Sequence, residues 1–299
     1  MQHALLIGNG INNIKDQQSW IGLLEKIIQH IEVIDEIRIE NKPFPLLYEE
    51  IYGHALKKGF SELAIKSFIA DEISQIKPNI IHEEILKLGI QNILTTNYDF
   101  TFEKLQSEAE NGFINNGIIK ETTYNIFRHY DFNDHLFWHI HGDTNNPITI
   151  TLGYEHYSGY LQYMRNYVVN GTGTTYKRKL ESLIRRFQED QYEIYSWIDF
   201  FFKSNIYIIG LTLDFIEIHL WWLLTYRQRQ KQSISSKTKI NISNKIFYYY
   251  PAHLADNILQ KLELLKALDV VPVAVTDPEI GETFYIRVLN LVKQNMQAD

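Results

Sequence analysis

Cysteine is absent from this chain of 299 residues, and proline and methionine are scarce, with seven and three copies. Without cysteine there is no disulfide, no thiolate nucleophile and no cysteine-ligated zinc. Long apolar runs are also missing: SWIDFFFKSNIYIIG is interrupted by Asp199 and Lys203, and nothing reaches the ~18 apolar residues of a membrane span. The opening MQHALLIGNG lacks the features of a signal peptide. We therefore expect a cytoplasmic protein that does not associate with membranes.

The balance of charge and hydrophobicity indicates an ordinary folded protein. Hydrophobic residues make up 45% and charged residues 22% of the chain, as in globular rather than disordered proteins. The net charge of −7 is acidic, which does not favour direct binding to nucleic acid.

Short apolar segments alternate along the chain with segments of helical spacing, and most of the apolar segments end in glycine or polar residues. This pattern predicts an α/β fold with a doubly wound, mostly parallel, Rossmann-like sheet. We also expect a short extended segment at 146–152 and a polar loop at 227–244. We predict one domain over 1–299, with a core of about 1–40, 76–150 and 198–299 and a smaller inserted helical lobe of about 43–75 and 151–197.

Four predicted strands are followed by polar residues or glycine. Because the carboxyl ends of parallel strands lie at one edge of a sheet, and ligands bind in the crevice outside those ends, we expect these residues to line one crevice. The four segments are Gly8-Asn9-Gly10-Ile11-Asn12, Thr95-Thr96-Asn97-Tyr98-Asp99, His139-Ile140-His141-Gly142-Asp143 and Gly210-Leu211-Thr212-Leu213-Asp214.

The order of these segments resembles the sirtuin superfamily. The first is similar to the Gly-Ala-Gly-x-Ser loop with which sirtuins bind NAD, and the second to their Thr-Gln-Asn-x-Asp turn. Pro78-Asn79-Ile80-Ile81-His82 matches their Pro-Asn-x-x-His motif in full. His141-Gly142 is similar to the catalytic histidine and the glycine after it, and Gly210-Leu211-Thr212-Leu213 to their Gly-Thr-Ser-Leu loop.

Two departures from the sirtuin pattern bear on function. Protein-deacylating sirtuins hold a structural zinc with four cysteines, and their Gly-Ile-Pro-Asp-Phe-Arg segment is replaced here by NIKDQQSW. The tail GLTLDFIEIHLWWLL resembles the sirtuin-like domains of bacterial defence proteins such as Thoeris-type systems. The resemblance therefore implies an NAD glycohydrolase that depletes NAD in anti-phage defence by abortive infection, with NAD as its substrate and no metal.

The resemblance also implies roles for individual residues. Cleavage of the nicotinamide–ribose bond passes through an oxocarbenium-like state, so the site must hold the ribose and present a nucleophile. Asn97 would hold water or a ribose hydroxyl, and His141 would accept a proton. The expected cofactor-binding residues are Gly8, Asn9, Gly10, Asn12, Thr95, Asp99, Gly210, Thr212 and Asp214.

Several alternatives stay open at this point. Asn97 and Asp99 are also typical of a turn that caps the following helix. His139 and His141 are too few to make a metal site by themselves. The pocket would alternatively serve a module that binds NAD or ADP-ribose without turnover, or a protein deacylase or ADP-ribosyltransferase, which the missing cysteines disfavour.

The remaining expectations concern partners. A constitutive NAD hydrolase would harm its own cell, so we expect gating through a homo-oligomer or a separately encoded partner such as a HerA-type ATPase. The helical segment at 151–197 and the helix around Trp221 are the candidate gates. One solvated basic helix is expected to carry Lys177, Arg178, Lys179, Arg185 and Arg186, and the polar loop to carry Arg227, Arg229 and Lys231.

Overall fold

A seven-stranded sheet forms the centre of the molecule. The computed structural model describes residues 2–14, 20–106, 116–173, 178–189, 193–233, 240–277 and 279–298. The strands are β1 (Gln2–Ile7), β2 (Asn92–Thr95), β3 (Tyr130–Phe132), β4 (His135–His139), β5 (Ser204–Ile209), β6 (Ile246–Pro251) and β7 (Val270–Val275). Their order across the sheet is β3-β4-β2-β1-β5-β6-β7, and every neighbouring pair is parallel except β3 with β4.

Helices connect the strands. They are α1 (Trp20–His30), α2 (Phe44–Lys57), α3 (Glu62–Ser74), α4 (Ile80–Leu86), α5 (Thr101–Gln106), α6 (Tyr154–Asn170), α7 (Leu183–Gln188), α8 (Trp197–Lys203), α9 (Ile218–Lys231), α10 (Leu259–Ala267) and α11 (Glu282–Gln297). Among the described residues, no helix combines the length and apolarity that a membrane crossing requires.

Both faces of the sheet are covered by helices. Leu6 and Ile208 point to one face, where they pack in a core with residues of α6 to α10. Their neighbours Leu5 and Ile209 point to the other face and pack with α4, α5 and α11. Because successive side chains of a strand alternate between faces, apolar residues in unbroken runs are expected of strands that are covered on both sides. The predicted doubly wound, mostly parallel α/β fold is confirmed.

A third hydrophobic cluster lies outside these two cores. It joins α1, α2 and α3 through Leu24, Ile51 and Ile69, and it includes Tyr98 and Leu152 from the carboxyl edge of the sheet. By contrast, α6 and α7 belong to the core on the first face. The predicted division into a core and an inserted lobe stays a prediction.

Two local predictions are wrong in whole or in part. The segment at 146–152 contains a 3₁₀ turn, Pro147–Thr149, and forms no strand, although Ile150 after that turn has an extended backbone. Its apolar residues Ile150 and Leu152 instead pack in the third cluster.

Arg227 does not lie in a loop, since α9 extends to Lys231. Its guanidinium is buried and donates to the carbonyl oxygens of Phe201 and Asn244 and to the Asp269 carboxylate.

The expected solvated basic helix is also wrong in part. Helix α7 is only six residues long: Arg178 and Lys179 precede it, Lys177 lies outside the described residues, and Arg186 is 1% exposed. Its Nη2 atom lies 3.1 and 3.2 Å from the two carboxylate oxygens of Asp199. The neighbouring Arg185 does face solvent, where it pairs with Glu181 and Glu189. A charged residue in a sequence pattern predicts an exposed position, but a buried partner of opposite charge allows the residue to lie in the core.

Candidate functional site

The four strand ends singled out in the sequence lie side by side. β4, β2, β1 and β5 are consecutive in the sheet. Backbone hydrogen bonds continue beyond the strands and join the ends: Thr96 N donates to Ile7 O over 3.0 Å, and Ile140 N to Thr95 O over 2.9 Å. Polar residues from positions far apart in the chain therefore share the carboxyl edge of the sheet.

Glycines allow the loops after β1 and β5 to touch. Gly8 N donates to Ile209 O over 2.9 Å, and Gly10 N donates to Gly210 O over 2.8 Å. A Cβ atom on Gly8 would come within 2.5 Å of Gly210 O, and one on Gly10 within 2.8 Å of the same oxygen. Gly210 itself has a φ of +66°, which favours glycine. Because the N–H groups of Gly8 and Gly10 are already bonded, they are not free to hold a phosphate in this structure.

Asn12 lies at the centre of a buried polar network. Its Nδ2 donates to Asp99 Oδ2 and to Asn9 Oδ1, each over 2.9 Å. Its Oδ1 lies 3.1 Å from Nε2 of His82. Burial lowers the pKa of His82 to about 4, so the imidazole is neutral near pH 7. Since Asn79 N donates to His82 Nδ1 over 3.2 Å, Nε2 carries the proton and donates to Asn12.

Asp99 has the capping role that the sequence left open. Its Oδ1 accepts hydrogen bonds from Thr101 N over 3.1 Å and from Thr101 Oγ1 over 2.6 Å, at the start of α5. The other carboxylate oxygen is the one that Asn12 holds. Asp99 has more than a capping role, because it also lines a cavity at the sheet edge together with Asn97.

Both backbone polar groups of Asn97 make hydrogen bonds, whereas only one of the two polar atoms of its side chain has a partner among the described residues. Its N–H donates to Thr95 Oγ1 over 3.0 Å, and its carbonyl oxygen accepts from His139 Nδ1 over 3.0 Å. The side-chain Nδ2 donates to Gly8 O over 3.4 Å. Oδ1 is buried and has no hydrogen-bond partner among the described residues. A buried acceptor without a partner costs about 1–3 kcal/mol, so this oxygen is a candidate for contact with a ligand.

His141 does not pair with His139. His139 Nε2 lies 2.8 Å from Glu103 Oε1. His141 instead has its Nε2 atom 2.9 Å from Nε2 of His219 and 3.4 Å from Glu217 Oε2. Burial lowers the pKa of His141 to about 3. Burial, and then the charge of Asp214, raise the pKa of Glu217 to about 8. Near pH 7 the imidazole and the carboxyl group are therefore both uncharged.

Two cavities at this edge share part of their lining. The first, of about 390 Å³, is lined by Asn97 and Asp99 together with α1 and α3. The second, of about 350 Å³, is lined by His141 and Glu217 and by the loop after β5. Asn9, Trp20 and Tyr98 line both. Asn97 and His141 thus face different cavities, and the rings of Trp20 and Tyr98, 5.3 Å apart, belong to both walls.

The other predicted residues differ in their access to the cavities. Gly10, Gly210, Thr212 and Asp214 line the second cavity, and Asn9 lines both. Thr212 and Asp214 are exposed, and Lys261 Nζ holds them by contacts of 2.9 Å to Thr212 O and 3.3 Å to Asp214 Oδ1. Gly8, Asn12 and Thr95 line neither cavity, and they connect the loops at this edge through hydrogen bonds. Thr96, like His141, lines the second cavity.

Sequence reasoning missed residues whose partners are distant in the chain. His82 was noticed as part of a motif but had no role, although it orients Asn12. Glu217 and His219 belong to a segment whose spacing predicts only a helix. The spacing Glu-x-His at the beginning of α9 is the signal that was available for them. Trp20 opens α1 and gave no signal apart from helical spacing.

Comparison with known proteins finds a family similarity for one segment of the chain. Residues 91–188 match the family model of the SIR2-like domain. No curated protein matches the chain. The matched segment includes Asn97, Asp99 and His141 and extends into α7. SIR2-like domains are generally NAD-dependent enzymes. Within this mostly parallel α/β fold, residues 91–188 are therefore similar to the SIR2-like domain.

Proposed function

We propose that this protein is an NAD glycohydrolase, which uses water to cleave the nicotinamide–ribose bond and releases nicotinamide and ADP-ribose. The observation that carries the proposal is Asn97, whose buried amide oxygen has no partner among the described residues. Asn97 lines a cavity at the carboxyl edge of the sheet and belongs to the segment that matches the SIR2-like domain.

The chemistry requires a nucleophile beside an electron-poor anomeric carbon. When the bond to nicotinamide breaks, positive charge develops on the ribose, and water attacks the resulting oxocarbenium-like carbon. Asn97 Oδ1 would accept a hydrogen bond from this water or from a ribose hydroxyl. The bond from Nδ2 to Gly8 O sets which way the amide faces.

His141 is the candidate acceptor for the proton that the water releases, although it lines the other cavity. Its lowered pKa, about 3, keeps the imidazole neutral and hence able to accept a proton near pH 7, although it also makes the acceptor weak. The contact with His219 Nε2 provides a further acceptor for that proton, whereas the Glu217 carboxyl group is itself protonated near pH 7.

The two cavities suit a long ligand. Both lie within the usual size of small-molecule sites, about 300–1,000 Å³. An extended dinucleotide would reach from Asn97 and Asp99 in the first cavity to the residues of the second. There Asn9, Gly10 and Gly210 would lie along its backbone, with Thr212 and Asp214 at the mouth. Gly8, Asn12 and Thr95 would act indirectly, by holding these loops.

The biological setting rests on the resemblance of the segment GLTLDFIEIHLWWLL to defence proteins. In that setting the enzyme would deplete NAD in the cytoplasm of an infected cell. Its activity would be gated by a homo-oligomer or by a partner such as a HerA-type ATPase.

A second candidate is a module that binds NAD or ADP-ribose without cleaving it. The observation that favours it is the separation of the two predicted catalytic residues. Asn97 and His141 line different cavities, and His141 Nε2 is already in contact with His219.

Release of nicotinamide from NAD by the purified chain, with and without a candidate partner, tests the first proposal. Asn97→Ala should reduce turnover at least ~100-fold, whereas Asn166→Ala, on the exposed side of α6, should leave it unchanged. Hydrolysis that survives both Asn97→Ala and His141→Ala would refute the assignment. Tight NAD binding without product would favour the binding module, and an acyl-lysine peptide assay separates both from a deacylase.

A further inference from the structure

Three potential metal ligands converge on one point beside the second cavity. They are His141 Nε2, His219 Nε2 and Glu217 Oε2, and each residue offers one donor atom to the same space. We propose that these residues form a binding site for a divalent transition-metal ion. No metal was expected, because the chain has no cysteine and His139 and His141 are too few by themselves; in the structure His141 instead meets two potential ligands from the beginning of α9.

The distances between the donors fit an ion of ordinary size. The two Nε2 atoms are 2.9 Å apart, and Glu217 Oε2 lies 3.4 Å from that of His141 and 3.9 Å from that of His219. A triangle with these sides has a circumradius of about 2.0 Å, which is close to the zinc–nitrogen distance of about 2.0–2.1 Å. A single ion in the plane of the three donors would reach all of them, and a tetrahedral ion, which lies out of that plane, requires the two Nε2 atoms to separate by a few tenths of an ångström.

The hydrogen bonding of the cluster is incomplete without an ion. Two imidazoles that face each other through Nε2 share one proton, so at most one hydrogen bond forms between them. Glu217 Oε2 is buried and has no hydrogen-bond partner among the described residues. Coordination would satisfy all three atoms at once. Because buried polar atoms are usually paired, a site that leaves one over indicates a missing partner.

The surroundings hold the ligands in position. The His141 carbonyl accepts a hydrogen bond from Thr151 N over 2.9 Å, which fixes the turn after β4. The ring of His219 packs against Tyr157 and Tyr160, with centroids 5.6 and 5.2 Å away. Glu217 caps α9 and His219 is its second residue, so a helix start positions both. Rigid support of this kind reduces the rearrangement that binding requires.

The donor set selects the class of ion. Two imidazoles and one carboxylate are ligands for zinc and related transition metals, whereas magnesium and calcium prefer oxygen ligands throughout. Three protein ligands leave at least one coordination position open. Since His141 and Glu217 line the second cavity, the ion would be accessible from it.

The inference does not rest on the proposed NAD glycohydrolase activity. It does alter one role within it, because Nε2 of His141 cannot accept a proton while it binds an ion. Metal binding is therefore tested without NAD, and its failure would leave the glycohydrolase proposal unaffected.

The test uses the full chain, produced without a polyhistidine tag and stripped with EDTA. Calorimetric titration with zinc chloride should show one site per chain, and magnesium chloride should show none. Glu217→Gln and His219→Gln should each weaken zinc binding by at least about tenfold. His156→Gln is the matched control, because it removes a histidine that contacts Glu62 and is not one of the three converging ligands, and it should bind zinc normally.

Circular dichroism shows whether each variant is folded. Unchanged zinc affinity in a folded Glu217→Gln protein, equal weakening by His156→Gln, or no zinc binding by the parent protein would each overturn the proposal. Cobalt(II) provides a measurement that needs no variant: bound by two imidazoles and a carboxylate, it should give visible d–d absorption. Absence of that absorption in the parent protein would also overturn the proposal.

Discussion

Asn12 and Asp99 are joined by a hydrogen bond of 2.9 Å, from the amide Nδ2 of one to the carboxylate Oδ2 of the other. This bond connects the loop after β1 to the loop after β2, and His82 fixes the orientation of the amide through its Oδ1. The edge of the sheet that carries the candidate site is therefore held together by side chains as well as by the strands.

Removal of the Asn12 side chain should destabilise the protein measurably. Asn12→Ala leaves Asp99 Oδ2 and His82 Nε2 without their shared partner in a buried setting, which should lower the free energy of unfolding by about 2–3 kcal/mol. Urea unfolding followed by fluorescence measures this change. Asn13→Ala, at the exposed neighbouring position, should stay within about 0.5 kcal/mol of the parent. Equal midpoints for both variants would contradict this role.

Protonation of His82 should make the site sensitive to acid. Its pKa is about 4 in the folded protein, against about 6.5 in the unfolded chain. Between these values the unfolded state binds the extra proton, so stability is retained above about pH 6.5 and falls as the pH decreases toward 4. The loss from this residue is up to about 3 kcal/mol.

Comparison with His82→Gln isolates that contribution from those of other buried histidines. The variant should be less stable than the parent at neutral pH, and the difference should shrink as the pH falls from about 6.5 to 4.5. Urea midpoints at several pH values in this range provide the measurement. Parallel pH profiles for the two proteins would show that His82 does not titrate in the proposed way.

The contact between the loops after β1 and β5 should not tolerate a methyl group. Gly10→Ala places Cβ about 2.8 Å from Gly210 O, and also against the Tyr285 hydroxyl, and should cost about 1–3 kcal/mol of stability. Gly53→Ala is the control. Its Cβ would meet no atom within 4 Å on helix α2, so it should be neutral or stabilising by up to about 1 kcal/mol. Thermal unfolding measures the difference in stability between the two variants. Equal melting temperatures would mean that the loops separate easily and that the prediction is wrong.

Two adjacent arginines should differ sharply in their effect on stability. Arg186→Met leaves the buried Asp199 carboxylate without its cationic partner, although its hydrogen bonds from Tyr167 and Tyr195 remain, and should cost about 3–5 kcal/mol. Arg185→Ala removes exposed pairs with Glu181 and Glu189 and should cost less than about 1 kcal/mol. Urea unfolding of the two variants under the same conditions measures the difference. Similar costs would mean that the contact with Asp199 contributes little.

The alternation of short apolar segments with helical spacing was sufficient to predict the fold class. Strands such as Ser204–Ile209 are buried on both sides, and this leaves a continuous apolar run that local sequence reveals directly. The exceptions have a common cause. Arg186 and Arg227 are charged yet buried, because Asp199 and Asp269 compensate them from other parts of the chain. Local pattern contains no information about such distant partners.

By itself, the sequence determined the types of residue that follow each strand, since polar groups and glycine at a strand end reflect local backbone requirements. It also determined that these segments follow one another in the same order as the similar motifs of sirtuins. Only the tertiary structure decided which of these residues meet. Nε2 of His141 meets that of His219, 78 positions away, and Asn12 meets His82, 70 positions away. Hydrogen bonds and metal coordination depend on distances of about 2–3 Å, and packing of the sheet and helices sets those distances.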